Sequence, residues 1–438
     1  RFRSGYRLTA RLDDAARKRI GFDLGAYLRG PVEVDLALAD IDRKRSDISL
    51  AVDLREASMS VPGIGWSKAA GSEGTARFSY SSADGGMSRI TDFTIDAGDL
   101  RAAGSADLAR DGKTISRVDF SRLTFGATDV RASVAVRPAG GYEIGLSGRV
   151  LDVEPYIGLE KDSELPPLEL SLELERVRLG PGRHLANVKG TLSHDGGKWR
   201  SITLDGDLGA GGHVEFRLTP EGRGRKLLVR SNDAGRMLGA FDISDNVIGG
   251  SLVVKGTYDD SLPDPPLKGR VVMKRYRVTK APILAKLLTV ASLSGIVNLL
   301  SGKGIAFSRL EAPFTLRDGT VKFKNARTSG SELGFTAEGK VNLEKEELNL
   351  KGTIVPAYTV NSVLGNIPIL GVLLTGEKGS GVFAATYKVS GSMKDPKISV
   401  NPLATLTPGF LRGLFDIFEG GRTIPDEPDG ESGSGGDD

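Results

Sequence analysis

The sequence predicts a mainly β protein: a long antiparallel sheet curled into an elongated hydrophobic groove, a taco-like trough, with a few short apolar helices near its C-terminal end. Three observations carry this expectation. Apolar and polar residues alternate with period two along most of the chain, the mark of strands with one apolar face. In-strand glycines and polar turns recur at intervals of about 10 to 15 residues, a strand-turn rhythm rather than a strict repeat. Helical stretches are too scarce to cover the apolar face that the alternation creates. Such a face is a very large exposed patch unless two sheets stack, the sheet closes into a barrel, or it folds lengthwise into a trough. Of these, a trough leaves room for apolar ligand chains. On the order of 25 strands at about 4.8 Å spacing would make one sheet on the order of 120 Å long.

In chain order, "LDDAARKRI" (Leu12 to Ile20) reads as a short helix. In "VEVDLALADI" the apolar set is Val32, Val34, Leu36 and Leu38, with Glu33 and Asp35 between them. In "LELSLELERVRL" it is Leu168, Leu170, Leu172 and Leu174, then slips to Val177 and Leu179, which predicts a bulge near Glu175 and Arg176. "NDAGRMLGAF" near residue 232 is a second helix candidate, and "APILAKLLTVASLSGIVNLLSG" (Ala281 to Gly302) is the longest, apolar on all sides. "FTLRDGTVKF" is a hairpin turning on Asp318-Gly319, so Arg317 pairs Thr320, Leu316 meets Val321 and Phe314 meets Phe323. A second hairpin turns on a four-residue loop, Glu344 to Glu347. Leu343 then pairs Leu348, Val341 pairs Leu350, and Gly339 faces Gly352, a notch suited to a curl of the sheet or to a ligand. The alternation puts Leu333, Phe335, Ala337, Val341, Leu343, Leu348, Leu350 and Ile354, with Phe314 and Phe323, on the side that would line a groove. "NSVLGNIPILGVLLTG" and "PGFLRGLFDIF" are further apolar helical pieces, the first broken by Pro368 and Gly371. Phe383, Ala385, Tyr387 and Val389 mark the last long strand, Ile398 to Val400 a short one, and residues 416–438 an acidic Gly/Ser tail expected to be disordered.

Catalytic chemistry is hard to place on this chain. A net charge of +3 argues against a nucleic-acid partner. The lack of cysteine excludes disulfides, thiolate catalysis and Cys-ligated zinc. His184, His194 and His213 are the three histidines, and none has a second at metal-ligand spacing. "GKT" (Gly112 to Thr114) imitates a P-loop, but Asp107 stands where its first glycine belongs. No Gly-x-Ser-x-Gly elbow occurs. The expectation is a protein without catalytic residues, cofactor or metal. One charge cluster stands out: "LKGRVVMKRYRVTK" holds six cations and no acid, and runs into the apolar stretch at Ala281. Either it is a solvated strand face, or Lys274, Arg275 and Arg277 meet anionic headgroups while Ile283, Leu284, Leu287 and Leu288 touch the membrane. Ile369 and Leu373 join that membrane-contacting set, unless their segment plugs the groove.

"LLVRSNDAGRMLGAFDISDNVIGGSLVVKGTYDD", the apolar stretch with "GKGIAFSRLEAPFTLRDGTV", and "LGNIPILGVLLTGEKGSGVFAATYKVSGSMKDPKISVNPLATLTPGFLRGLF" together resemble the C-terminal region of the AsmA-like proteins, nearest the YhdP-like branch and related to TamB. The resemblance is strong over residues 225–415 and weaker before them. It implies a strand-rich groove region over 1–224, an AsmA-like module over 225–415 and the tail. It further implies a non-catalytic protein of the Gram-negative envelope that carries phospholipid through the periplasm to the outer membrane, sustaining its permeability barrier. Such proteins hold to the inner membrane by an N-terminal helix, which would lie upstream of "RFRSGYRL". A structural factor for outer-membrane protein biogenesis is the alternative.

Overall fold

The computed structural model describes residues 4–40, 45–83, 86–109, 114–157, 165–291, 293–356 and 385–401. The predicted pieces at 361–376 and 408–418 and the acidic tail lie outside the described residues, as do Ile369 and Leu373. Strands dominate, and 23 of them belong to one hydrogen-bonded sheet. The chain divides into two compact units, residues 1–231 with 237–243, and residues 232–236 with 244–438.

Unit 1 contains β1 (Ser4–Leu12), β2 (Leu28–Arg29), β3 (Val32–Asp40), β4 (Arg45–Asp53), β5 (Ser58–Val61), β6 (Trp66–Lys68), β7 (Gly74–Ala83), β8 (Gly86–Ala97) and β9 (Leu100–Leu108). It continues with β10 (Ile115–Phe125), β11 (Thr128–Val136), β12 (Tyr142–Asp152), β13 (Leu168–Gly180), β14 (Arg183–His194), β15 (Trp199–Gly209), β16 (Gly212–Glu221) and β17 (Gly224–Ser231). Helix α1 (Asp14–Arg19) starts on Asp13, whose carboxylate accepts from the Ala16 N–H at 2.7 Å. The strands form a meander, each antiparallel to the next, with one exception: β12 and β13 run parallel. The sheet is therefore mixed, which corrects the all-antiparallel expectation. Parallel neighbours need a crossover instead of a hairpin, and the fifteen residues from 153 to 167 supply it.

The predicted face change at Glu175–Arg176 occurs: Leu174 and Val177 are buried and the two residues between them are exposed. It is not a bulge against β14, because Leu174 still pairs Val188 and Arg176 pairs Ala186. Asn187 adopts a left-handed backbone at φ 49°, so β14 changes face together with β13 and no register is lost.

A small second sheet, β2–β5–β6, packs on one end of the large one. Its cores join Leu28, Leu54 and Ala57 to Val32 and Ala76, and Trp66 to Ala97 and Leu100. Lys68 is 4% exposed, and its ammonium donates to the carbonyls of Leu54 and Ala57 at 2.9 Å and of Ala69 at 3.2 Å.

Unit 2 contains β18 (Val247–Ile248), β19 (Ser251–Asp259), β20 (Leu267–Val278), β21 (Ile305–Arg317), β22 (Thr320–Gly330), β23 (Leu333–Asn342), β24 (Glu347–Pro356), β25 (Ala385–Ser392) and β26 (Lys397–Asn401). Between the units' segments lies α2 (Ala234–Ala240); the long apolar stretch forms α3 (Pro282–Val290) and α4 (Ser294–Ser301). α3 lies against β26 and α4 touches β21. The Asp318-Gly319 hairpin has the predicted register, with both turn residues left-handed at φ 46° and 64°. The second hairpin corrects its prediction. Val341 pairs Leu348 and Asn342 pairs Glu347, so the loop is Leu343 to Glu346. The Asn342 side chain accepts from the Lys345 N–H at 2.8 Å and Glu346 is left-handed at φ 50°, which closes the turn one residue earlier on each side. Gly339 faces Leu350, and Gly352 faces Ala337, so no glycine pair and no notch form.

Candidate functional site

In unit 1 the register lines up apolar residues from strand to strand. Leu8, Leu36, Leu50, Phe78, Phe93, Gly104 and Phe120 stand in one row across β1, β3, β4 and β7–β10. Ala132, Leu146, Leu172, Gly190, Leu204, Phe216 and Val229 continue it across β11–β17. At about 4.8 Å per strand this path is about 60 Å long. Beside it a second row passes through Leu38, Ile48, Ile90 and Val118 to Ile144, Leu170, Leu192 and Ile202.

The rows differ in cover. On one flank Ala76, Val130, Leu174 and Val188 are buried, the first beneath the small sheet. Along the first row Leu36, Leu50, Phe78, Phe120, Leu146, Leu172, Leu204 and Phe216 stay half-exposed. Apolar surface left in water forgoes about 25 cal/mol per Å², which an apolar occupant would recover. Gly104 lets the row stay continuous. The rings of Phe93 and Phe120, on the strands to either side, meet edge-on over it at 5.6 Å. A side chain there would begin 2.0 Å from the Asp119 carbonyl oxygen.

The opposite face of the same strands is hydrophilic. A depression of about 920 Å³ is bordered by Ser105, Ser121, Ser133, Ser171, Thr191 and the Glu173–Lys189 ion pair, and also by Phe120, Ala132, Leu146 and Leu172 from the same strands. It offers hydroxyls and charges beside that apolar lining.

In unit 2 one row joins Gly256, Gly269, Phe314, Phe323, Gly339, Leu350, Val389 and Ile398. Next to it run Leu267, Leu316, Val321, Val341 and Leu348. Of the residues predicted to line a groove, Phe314, Phe323, Val341, Leu348 and Leu350 stand in these rows, half-exposed, with half-exposed Ala337 alongside. Leu333 and Ile354 have no accessible surface and Phe335 is 9% exposed. Phe335 lies 6.2 Å from Phe307, which stacks on Tyr276 at 5.3 Å. Burial pushes the Tyr276 hydroxyl up to about 12, although its bond to Thr328 opposes the shift. Leu343 leaves the ladder for the loop and is 53% exposed.

Of the residues predicted to touch a membrane, Lys274, Arg275 and Arg277 are exposed, and Arg277 donates to the Lys303 carbonyl at 3.0 Å. Ile283 and Leu284 are half-buried, whereas Leu287 and Leu288 are interior. No described helix is long and apolar enough to cross a membrane. Among the described residues no cluster of potential metal ligands forms. His194 is buried against Trp199, and His213 sits beside Asp205 and Asp207. The residues that sequence reasoning left out are the rows of unit 1. Their alternation is visible, but their alignment depends on register.

The profile of the YhdP protein family matches residues 117–398, from β10 through β26. The chain belongs to the YhdP protein family. The YhdP match takes in the rows of β10–β17 and those of unit 2. The chain is also similar to the intermembrane phospholipid transporter YhdP of Escherichia coli (strain K12), 25% identical over 108 residues. That alignment spans 22% of this chain and 8% of the relative's length. No solved structure matches.

Proposed function

We propose that this chain is a section of a periplasmic phospholipid conduit in which acyl chains lie along the half-exposed rows. The observation that carries the reading is the row from Leu8 to Val229: an apolar line kept in register through every strand of the large sheet in unit 1 and half-exposed over most of its length, with Phe93, Ala132 and Val229 buried in it. A packed interior would cover such a line, and a soluble surface would interrupt it with charge. The name of the Escherichia coli relative supports phospholipid as the cargo. Lys274, Arg275 and Arg277, exposed on β20, would meet headgroups where cargo enters or leaves. The protein acts by binding, not by bond making.

Photo-crosslinkers test this. Placed at Leu146, Leu172 and Leu350 they should capture phospholipid, identified by mass spectrometry. At Ser171 and Thr191, on the opposite face of unit 1, they should not. Equal labelling of both faces would overturn the proposal.

A further inference from the structure

The polar face of unit 2 carries a second feature, on the side away from the apolar rows. Four cross-strand pairs on it set cation against cation: Lys255 with Arg270, Lys274 with Arg309, Lys322 with Lys340, and Lys351 with Lys388. Like charges directly opposite each other destabilise a sheet. Two carboxylates answer part of this charge. Glu311 is shared by Arg270, Arg309 and Arg327, and Glu338 takes Lys351 at 2.7 Å. Lys322, Lys340 and Lys397 are exposed and have no ion-pair partner among the described residues. One register line runs Lys268, Thr315, Lys322, Lys340, Asn349, Ser390, Lys397: cations and hydrogen-bonding side chains, with no acid. The equivalent face of unit 1 is balanced, with Lys189 on Glu173 and Arg217 on Asp205.

We propose that this lysine ladder seats unit 2 on an anionic phospholipid bilayer surface. Three properties select that partner. The charge is spread over the strands from β20 to β26, about 29 Å at about 4.8 Å per strand, the breadth of an array and not of a single pocket. The cations of the line are all lysines, flexible point charges suited to mobile phosphates, without the arginine fork that fixes one carboxylate. It also lacks the aromatic anchors that a protein interface buries.

Flotation of the whole chain with vesicles tests it. Vesicles containing phosphatidylglycerol should carry the protein and phosphatidylcholine alone should not, with binding falling as salt rises. The double variant K322Q/K340Q relieves a like-charge contact, so it should keep its circular dichroism spectrum and melting profile. Its binding to anionic vesicles should fall about tenfold or more. Unchanged binding would overturn the proposal. So would release by inorganic phosphate at matched ionic strength, the sign of a discrete phosphate site. Capture by poly-glutamate without capture by vesicles would assign the face to an acidic protein instead. Phospholipid co-purifying with the variant should be unchanged, so a failure here is separable from a failure of the conduit reading.

Discussion

Tyr387 lies across from Gly352, and its hydroxyl donates to the Thr336 carbonyl at 2.8 Å. A Cβ on Gly352 would come 2.8 Å from that hydroxyl, so the glycine is the space the tyrosine fills. Burial pushes both Tyr387 and Tyr276 up to about 12, from 10.0 for an ordinary tyrosine. The folded state therefore holds these protons longer than the unfolded state does. The resulting stability is complete below about pH 10 and is lost as pH rises toward about 12. Thermal melts of the wild type should drop across that window. Tyr276→Phe/Tyr387→Phe, with nothing to ionise there, should lose about 1 kcal/mol per hydrogen bond at neutral pH and flatten the alkaline fall. An unchanged alkaline fall would refute the assignment. The glycine was visible in the sequence and its neighbour on β23, Ala337, was not, because a two-residue slip at Leu343 keeps every side chain on its face while changing every neighbour across that hairpin.

Elements with strong local chemistry were legible. The Asp318-Gly319 turn gave its hairpin's register because both residues accept the left-handed backbone that a two-residue turn requires. The loop at Leu343 was misplaced because Asn342, an ordinary polar residue by pattern, acts as the turn-forming side chain. The stretch at 281–302 was legible as the longest helix candidate, apolar all round, but its division was not. α3 stops at Val290, and the Leu293 N–H returns to the Leu288 carbonyl at 2.8 Å before α4 begins. Leu288 is fully buried, so Leu288→Ala should cost about 2–5 kcal/mol, read as a lowered midpoint in urea. Val290, 49% exposed on the same helix, should tolerate Val290→Ala within about 1 kcal/mol. Equal losses at the two positions would mean that α3 is oriented differently. On β9, Gly104→Val should destabilise unit 1 by at least about 1–3 kcal/mol through its clash with the Asp119 carbonyl.

At the scale of the whole molecule, alternation announced a one-faced sheet, but only paired strands reveal that the faces line up into rows. A carboxylate in such a row meets the acyl chains directly. Leu172→Glu should leave the far-ultraviolet spectrum intact and sharply reduce co-purified phospholipid, whereas Thr191→Glu on the opposite face should not. Equal lipid content in both variants would argue against transport along the row. The parallel pair was missed because hairpin logic assumes a short return. The stretch between β12 and β13, with its prolines and fifteen residues, was the available signal.

That parallel pair also bears on how the chain acquires its fold. From β7 to β12 and from β13 to β17 every junction joins antiparallel partners through a short return, so pairing can spread from one turn to the next by small loop closures. At β12–β13 the spread must stop and wait for a crossover to close, a slower step because more chain entropy is lost before the first contact forms. The hairpin runs β7–β12 and β13–β17 should thus zip separately, and the seam between them is where a partly folded chain would pause, with the edges of β12 and β13 unpaired and adhesive.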